Sequence, residues 1–336
     1  FVAAVKREEI GLPLPAGTEN WQIVPCAGGP LVFGLPSLDR AFRRAGVDAA
    51  LYFYFAPRGA PYLRLTFVFD ALFLDHPGWF TWSERRYFSL IPPLARRADA
   101  VCTLTAAERD RLVRHRFAPA ERVHVVPAGV SGRFAPRHRQ DPARLARTRD
   151  RLKLPERFLL YVGRINRRKN IPLLLEGLSQ MEDDRIPLVV VGRRDRGGID
   201  LAAECRRRRV TERVIHLTDV ADEDLPCIYS LAEAFGYLSA EEGFGLPPLE
   251  AMASGVPVVA VRGGGVAEVA GEAPLWVDPG SPSAVAAALD RLCHDPVLRT
   301  ERIACGLAQA ARFSWERAAD ALIAAFVATM SGPRGG

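Results

Sequence analysis

The apolar positions of this chain fall into short runs, most of them followed by amphipathic stretches, and the rhythm repeats from end to end. In the first half, Phe1–Val5, Trp21–Pro25, Ala49–Phe55, Leu65–Phe69, Ala98–Thr103 and Val123–Val126 read as strands. Leu38–Ala45 reads as a helix, and Thr105-Ala106-Ala107-Glu108 spells a capping box for another that reaches about Arg116. The second half alternates more cleanly. Strands are expected at Phe158–Val162, Pro187–Val191, Val214–Leu217, Ala234–Ser239, Val256–Val261 and Pro274–Val277. Helices are expected at Pro172–Met181, Ile199–Arg209, Asp222–Leu231 and Ser283–His294, with a last one from Ser314 to Met330. Short buried strands joined by helices of this size imply an α/β fold with parallel, doubly wound sheets. The polar, proline-containing stretch Ser131–Asp141 marks a boundary. It gives domains at 1–138 and 139–312, then a C-terminal helix and frayed tail at 313–336.

One stretch, Ala234–Gly265, combines strand, glycine loop, helix, strand and second glycine loop. Gly243 and Gly245 bracket Phe244, which suits a loop whose backbone must come close to a ligand. Pro247 and Pro248 fit the first turn of a helix, and Gly255 is a natural stop beyond it. Behind such a loop, free N–H groups and the positive end of a helix dipole suit a phosphate or a cluster of hydroxyls. Glu242 precedes the loop and Glu250 lies in the helix. A carboxylate accepts two hydrogen bonds from paired sugar or ribose hydroxyls. Taken alone, the two acids read equally well as a solvated loop charge and a dipole-favoured helix acid.

A second motif, Tyr161-Val162-Gly163-Arg164-Ile165-Asn166-Arg167-Arg168-Lys169-Asn170, ends one strand and precedes a helix. Cations held there could neutralise a phosphate, Arg164 in bidentate fashion and Lys169 as a point charge. A solvated basic turn is the plainer reading of the same residues. Lys169 stands out, because the other lysines are only Lys6 and Lys153 while Lys and Arg together number 45.

The string Glu242-Gly243-Phe244-Gly245-Leu246, followed by Glu250-Ala251-Met252-Ala253 and Gly255, closely resembles the donor-sugar motif of the retaining family 4 glycosyltransferases (glycosyl transferases group 1). Gly163-Arg164 and Arg168-Lys169-Asn170 resemble that family's diphosphate-binding turn. Val126–Val130, Asp219–Leu225 before Tyr229, Glu268–Asp278 and Phe313-Ser314-Trp315 match more loosely. The resemblance spans about residues 50 to 330 and is strongest from 158 onward. It implies a GT-B architecture, two Rossmann-like domains with a cleft between them. It further implies metal-independent transfer, with retention, of a hexosyl and above all a mannosyl unit from a nucleotide sugar to an acceptor hydroxyl. On this resemblance Glu250 holds the nucleotide ribose, and Glu242 with Gly243, Phe244, Gly245 and Leu246 holds the sugar. Arg164 and Lys169, beside Gly163, take the departing diphosphate. The donor is GDP-mannose or a UDP-hexose, no separate cofactor is implied, and the acceptor is a carbohydrate or a lipid-linked sugar of cell-surface synthesis.

Two departures from the family pattern matter. Nothing matches the strand and glycine loop with which the family opens, so either the first domain is truncated at its start or this member lacks that part. Where similar members carry His before Asp, this chain has Phe69-Asp70, and phenylalanine cannot bond a donor. His76 is a substitute or, more plainly, a surface histidine. These departures keep a non-catalytic nucleotide-sugar-binding subunit in play as an alternative, and a GT-B epimerase as another. A phosphorylase fits less well, lacking a cofactor lysine or a longer chain.

Composition adds limits. At 336 residues, with 49% hydrophobic and 25% charged residues, two ordinary globular domains are expected. No apolar run approaches a membrane span. The six cysteines and six histidines form no C-x-x-C pair or metal-like cluster, so a metal site is not expected and reduced thiols in the cytoplasm are. The net charge of +6 is spread over many arginine clusters without a nucleic-acid-binding signature, so nucleic acid is not expected as a partner. Core packing accounts for most of the aromatic segment around Trp79, Phe80 and Trp82, while an acceptor-binding wall there, or with the basic charge a peripheral contact with the inner face of a membrane, is the functional alternative.

Overall fold

A computed structural model describes residues 2–6, 22–26, 31–195 and 198–331, with side chains from Leu35 onward. Phe1 and Trp21, which begin two expected strands, and the expected frayed tail beyond Ser331 lie outside the described residues. The chain divides into two compact units, Phe1–Val126 with Ala319–Gly336, and Pro127–Ala318.

In the first unit, strands β1 (Val2–Lys6) and β2 (Gln22–Cys26) pair in parallel. Strands β3 (Ala49–Phe53), β4 (Leu63–Phe67), β5 (Ala100–Thr103) and β6 (Val123–Val125) form a four-stranded parallel sheet in chain order. The last helix, Trp315–Ser331, packs Ala325, Leu322 and Phe326 against Leu65, Phe67, Ala100 and Cys102 of that sheet. A polar tie joins two segments beyond the strand ends. Asp75 accepts from Arg111 Nε at 2.7 Å and Arg114 Nη2 at 2.8 Å, and its other oxygen lies 2.6 Å from His115 Nε2. Burial works to raise the Asp75 carboxyl, but Arg111 and His115 outweigh it and hold it down at about 2.

The second unit holds β7 (Leu159–Val162), β8 (Leu188–Val191), β9 (Val214–Leu217), β10 (Ala234–Tyr237), β11 (Val258–Val261) and β12 (Leu275–Val277). All pair in parallel, in the order β12-β11-β10-β7-β8-β9. This is the doubly wound order: the chain winds outward from β7 in one direction, then returns beside β7 at β10 and winds the other way. Every residue of β8, β10 and β11 is buried, as expected for strands covered by helices on both faces. Leu174 and Leu178 of one helix and Val285 and Leu289 of another share a core with Leu159, Leu188 and Val259 of the sheet.

Several boundaries differ from the sequence reading, each for a local reason. Helices Pro142–Leu152 and Pro296–Ala310 are additional to it. Both open on Asp-Pro, and in each the aspartate is a cap: Asp141 accepts from Ala143 N, and Asp295 from Val297 N and Leu298 N. Proline at the first helical position loses nothing there, because the N–H it lacks would have no partner within the helix. The helix Leu31–Ala45 begins seven residues earlier than expected and runs through Pro36. Strand β4 ends at Phe67, so Asp70 lies beyond it in a turn, where its side chain accepts from Leu72 N at 3.3 Å. Thr105 caps its helix by accepting from Glu108 N, but the fully buried Glu108 carboxylate is turned toward Ala71 N and Arg111. The residues after Arg262, expected as loop, become the helix Gly264–Ala270 at once. The compact units part at Val126/Pro127, ahead of the proline-containing stretch read as the boundary.

Candidate active site at the switch point of the second sheet

Ligands of open α/β sheets sit beyond the carboxyl ends of the strands, where the winding direction reverses. Here that point lies between β7 and β10. Beyond β7 runs the turn Gly163–Asn170, leading into the helix Ile171–Ser179. Beyond β10 runs Leu238–Gly245, leading into the helix Leu246–Ala253. Both sequence motifs therefore arrive at the same end of two adjacent strands. The turns are joined backbone to backbone, since Arg168 O accepts from Ala240 N at 2.9 Å.

At that junction Glu242 is buried between two cations. Lys169 Nζ lies 2.6 Å from Glu242 Oε1, Arg168 Nη1 donates to Oε2, and Ser239 Oγ donates to Oε1. Lys169 Nζ also donates to Tyr237 Oη at 2.6 Å, which places the ammonium at the hydroxyl end of that ring, 4.9 Å from its centre. Burial works to raise the Glu242 carboxyl, but Lys169 and Arg168 outweigh it and hold it below the ordinary carboxylate range. Burial pushes the Lys169 ammonium down, with Glu242 pulling against that push and Arg168 adding to it. Two cations on one carboxylate leave the cluster with one positive charge in a desolvated setting. Such a cluster attracts an anion far more strongly than a solvated turn does.

The placement revises the sequence reading of the turn. Lys169 is 9% exposed, so it is no surface point charge. Arg168, not Arg164, is the guanidinium turned onto Glu242. The Arg164 side chain is 79% exposed and pairs with Asp195 at 3.3 Å. Asp195 is also held by Asn166 Nδ2 at 2.8 Å, and Asn166 Oδ1 accepts from Lys169 N at 3.1 Å. Asn170 takes the left-handed conformation, with φ 49°, and so turns the chain sharply into the helix. Gly163 sits at the strand end, its N–H bonded to Val191 O. Arg168, Ser239 and Tyr237 are the members that sequence reasoning did not single out. The docking of the Arg168 carbonyl on Ser239 and Ala240 decides which basic side chain turns inward, and no spacing encodes that.

The loop Gly243–Gly245 is backed by the second glycine loop. Gly265 N donates to Glu242 O at 2.8 Å, and a Cβ on Gly265 would lie 2.3 Å from Gly243 O. Only a bare backbone passes there. The helix Leu246–Ala253 has no side-chain cap, and Pro247 and Pro248 carry no N–H. Its N-terminus thus offers the dipole and the Leu246 amide rather than a row of donors. Phe244 is buried and packs edge-on against Phe313, while Leu246 is 37% exposed.

Glu250 stands in a separate environment on the same helix. Tyr229 Oη donates to its Oε2 at 3.0 Å, and the Tyr229 ring meets Phe134 edge-on at 5.6 Å. Burial raises the Glu250 carboxyl to about 7, with Tyr229 and Arg133 opposing the rise only in part. In the first unit, Phe69 stacks on Phe53 at 5.8 Å and lies against Phe67 at 4.9 Å, and His76 stacks on Trp79 at 3.9 Å. Trp82 is 67% exposed, with Arg86 over its ring at 5.5 Å. Among the described residues no group of His, Cys, Asp and Glu could hold a metal ion, and no helix is long and apolar enough to cross a membrane.

A parallel α/β unit with a net positive cluster and a glycine loop at its switch point belongs to the doubly wound class, whose ligands sit at that point. Comparison with known proteins narrows the class. The model for "Glycosyl transferases group 1" matches residues 145–306, and that for "Glycosyl transferase 4-like domain" matches 12–129. The chain belongs to the glycosyl transferases group 1 family. It is 36% identical over 234 residues to the O-antigen chain mannosyltransferase B of Escherichia coli, an overlap of 68% of this chain and 60% of that protein. Its fold is GT-B. It superposes on sucrose-phosphate synthase from Thermosynechococcus elongatus with a TM-score of 0.75 at 22% identity, covering 98% of this chain and 89% of that one. For HepE of Anabaena, solved with UDP and glucose, the TM-score is 0.71 at 19% identity, covering 91% and 86%. The chain spans 60% or less of the length of the first curated relatives it matches.

The raised Glu250 carboxyl makes a prediction about the fold. A carboxyl whose pKa in the folded state lies above its ordinary value of 4.5 favours folding when protonated, and that advantage is lost as pH rises from 4.5 through about 7. Glu250→Gln should therefore raise stability at pH 8 by up to about 3 kcal/mol and leave it nearly unchanged at pH 4. Urea unfolding of both proteins at the two pH values checks this.

Proposed function

We propose that this chain transfers a hexosyl unit, mannosyl first among them, from a nucleoside diphosphate sugar to an acceptor hydroxyl with retention of anomeric configuration. The observation that carries the reading is the Arg168–Glu242–Lys169 cluster at the switch point, with Glu242 and Lys169 buried and Arg168 half-buried. As the glycosidic bond breaks, negative charge gathers on the diphosphate. A preorganised pair of cations meets that charge more strongly in the transition state than in the ground state. Arg168 and Lys169 take this role, in the place that a metal ion fills in other phosphate chemistry, and the reaction is read as metal-independent. Arg164, exposed at the turn's edge, swings from Asp195 to an outer phosphate oxygen.

Glu242 has two tasks in this reading. It holds both cations in place, and its position beside the Gly243–Gly245 loop brings it to the transferred sugar. Glu250 accepts from the ribose hydroxyls, which relieves the cost of its burial. The mannosyl assignment is supported by the identity to the Escherichia coli mannosyltransferase. A uracil nucleotide is the competing donor, as found with HepE. The acceptor is read as a carbohydrate or lipid-linked sugar at the cytoplasmic face of a membrane, with Trp82 and Arg86 suited to lipid headgroups.

Turnover of GDP-mannose and UDP-glucose with the sugar-lipid acceptors of cell-surface synthesis tests the reading, with the product anomer assigned by NMR. Activity should persist in EDTA, and Lys169→Met should lower kcat by about 100-fold, the scale of losing one electrostatic donor. Inversion, loss of activity in EDTA, or unchanged kcat in a folded variant would each contradict the corresponding claim. Flotation with anionic liposomes should carry the protein upward at low salt and lose it in Trp82→Ala; flotation that ignores both salt and Trp82 would remove the membrane face.

A further inference from the structure

Phe244 is the only side chain in the loop Gly243–Gly245. Its ring is 5% exposed and meets Phe313 edge-on, with centroids 5.9 Å apart and planes at 83°. Phe313 is more than a packing partner. Its carbonyl accepts from Val130 N at 3.1 Å. One residue before Val130, a Cβ on Gly129 would fall 2.3 Å from Trp315 N and 2.5 Å from the Ser314 carbonyl carbon. The two segments therefore run backbone against backbone, and Gly129 is what lets them close. These segments are also where the chain passes between its compact units, leaving the first at Val126/Pro127 and re-entering it at Ala318/Ala319.

A second connection reaches the same place. The helix Pro296–Ala310 lies close on the site helix at Gly306, where a Cβ would stand 3.2 Å from Met252 Cγ. From its last turn Gln309 Nε2 donates to Val269 O at 2.7 Å, on the helix behind the second glycine loop. Phe313 follows three residues after Ala310, whose carbonyl accepts from Phe313 N at 3.0 Å. Phe313 is thus fixed on one side by the elements that build the site and on the other by the paired crossing segments.

We propose that Phe313 is a positioning residue: its ring seats Phe244 and sets the Gly243–Gly245 loop for the donor, and through its bond to Val130 both crossing segments respond to occupancy of that loop. The inference rests on the reading that this loop holds the donor nucleotide sugar. Edge-on aromatic pairs contribute enough for loss of the ring to weaken donor affinity about three- to tenfold. Coupling of this kind is reciprocal, so a ligand that orders the loop must also tighten the Val130–Phe313 bond.

Hydrogen exchange read by mass spectrometry on the full chain, with saturating GDP-mannose and separately with saturating UDP-glucose, tests it. The donor that binds should slow exchange in peptides containing Gly243–Gly245 and also at Val130 and in 313–317. In Phe313→Ala the loop should still be protected at saturation, but the slowing at Val130 should be lost, although the backbone carbonyl at 313 is kept. Phe313→Leu, which keeps an apolar side chain, should restore part of it and guards against a misfolded alanine variant. Donor KM should rise about three- to tenfold in Phe313→Ala with a smaller change in kcat. Protection of the loop alone, with Val130 unchanged, overturns the coupling and leaves the site reading intact. Protection at Val130 that survives Phe313→Ala also overturns it. No change anywhere with either donor overturns the site reading and the coupling together.

Discussion

Glu242 sits between Lys169 and Arg168 in a desolvated junction, and much of the second unit is arranged to keep it there. Burying a carboxylate is costly, and burying two cations with it is more so, unless each finds geometry that offsets the lost water. The bonds from Lys169, Arg168 and Ser239 supply that geometry for the acid, and the Tyr237 hydroxyl accepts from the ammonium. The arrangement requires β7 and β10 to be neighbours, because each carries one half of the cluster on the turn beyond it. It also requires the glycine pair Gly264-Gly265 to let the Glu242 loop be backed by bare chain. A fold under selection for stability alone has little use for a buried excess of positive charge. An anion brought to the cluster balances it, and that is the physical link between the packing and the proposed chemistry.

The two glutamates, eight positions apart in the chain, end in opposite electrostatic settings. Glu242 is held ionised by adjacent cations, while burial raises Glu250 beside a tyrosine hydroxyl. Carboxyls pushed in opposite directions on one loop and helix can take different partners: a charged network for one, neutral hydroxyls for the other. The division of labour proposed between them follows from this contrast rather than from their spacing.

The parts of this site that were legible in the sequence are those governed by short-range rules. Gly245, which takes a positive φ of 103°, announces the turn into the site helix, and the apolar runs at Leu159–Val162, Leu188–Val191 and Val258–Val261 announce buried parallel strands. The doubly wound order followed from their alternation with helices. What was hidden depends on contacts distant in the chain. Nothing local distinguishes Arg168 from Arg164; the choice is made when Ser239 and Ala240 dock on the Arg168 carbonyl. The helices Pro142–Leu152 and Pro296–Ala310 were not read from the sequence, and the Asp141 and Asp295 caps that fix their starts exist only once the helix forms. Glu108 matches a capping box by spacing, yet Arg111 and the Ala71 amide draw its carboxylate into the core.

If the cation pair on Glu242 is the receptor for the donor's diphosphate, removing the phosphates from the ligand must cost what removing the cations from the protein costs. Calorimetric titration of GDP against guanosine, and of UDP against uridine, isolates that contribution as the ratio of the two affinities. The diphosphate form should bind more tightly by a large ratio in the unmodified protein. Arg168→Ala and Lys169→Met should each reduce the ratio about tenfold or more while leaving nucleoside affinity unchanged. A ratio that survives both substitutions in folded protein would contradict the assignment.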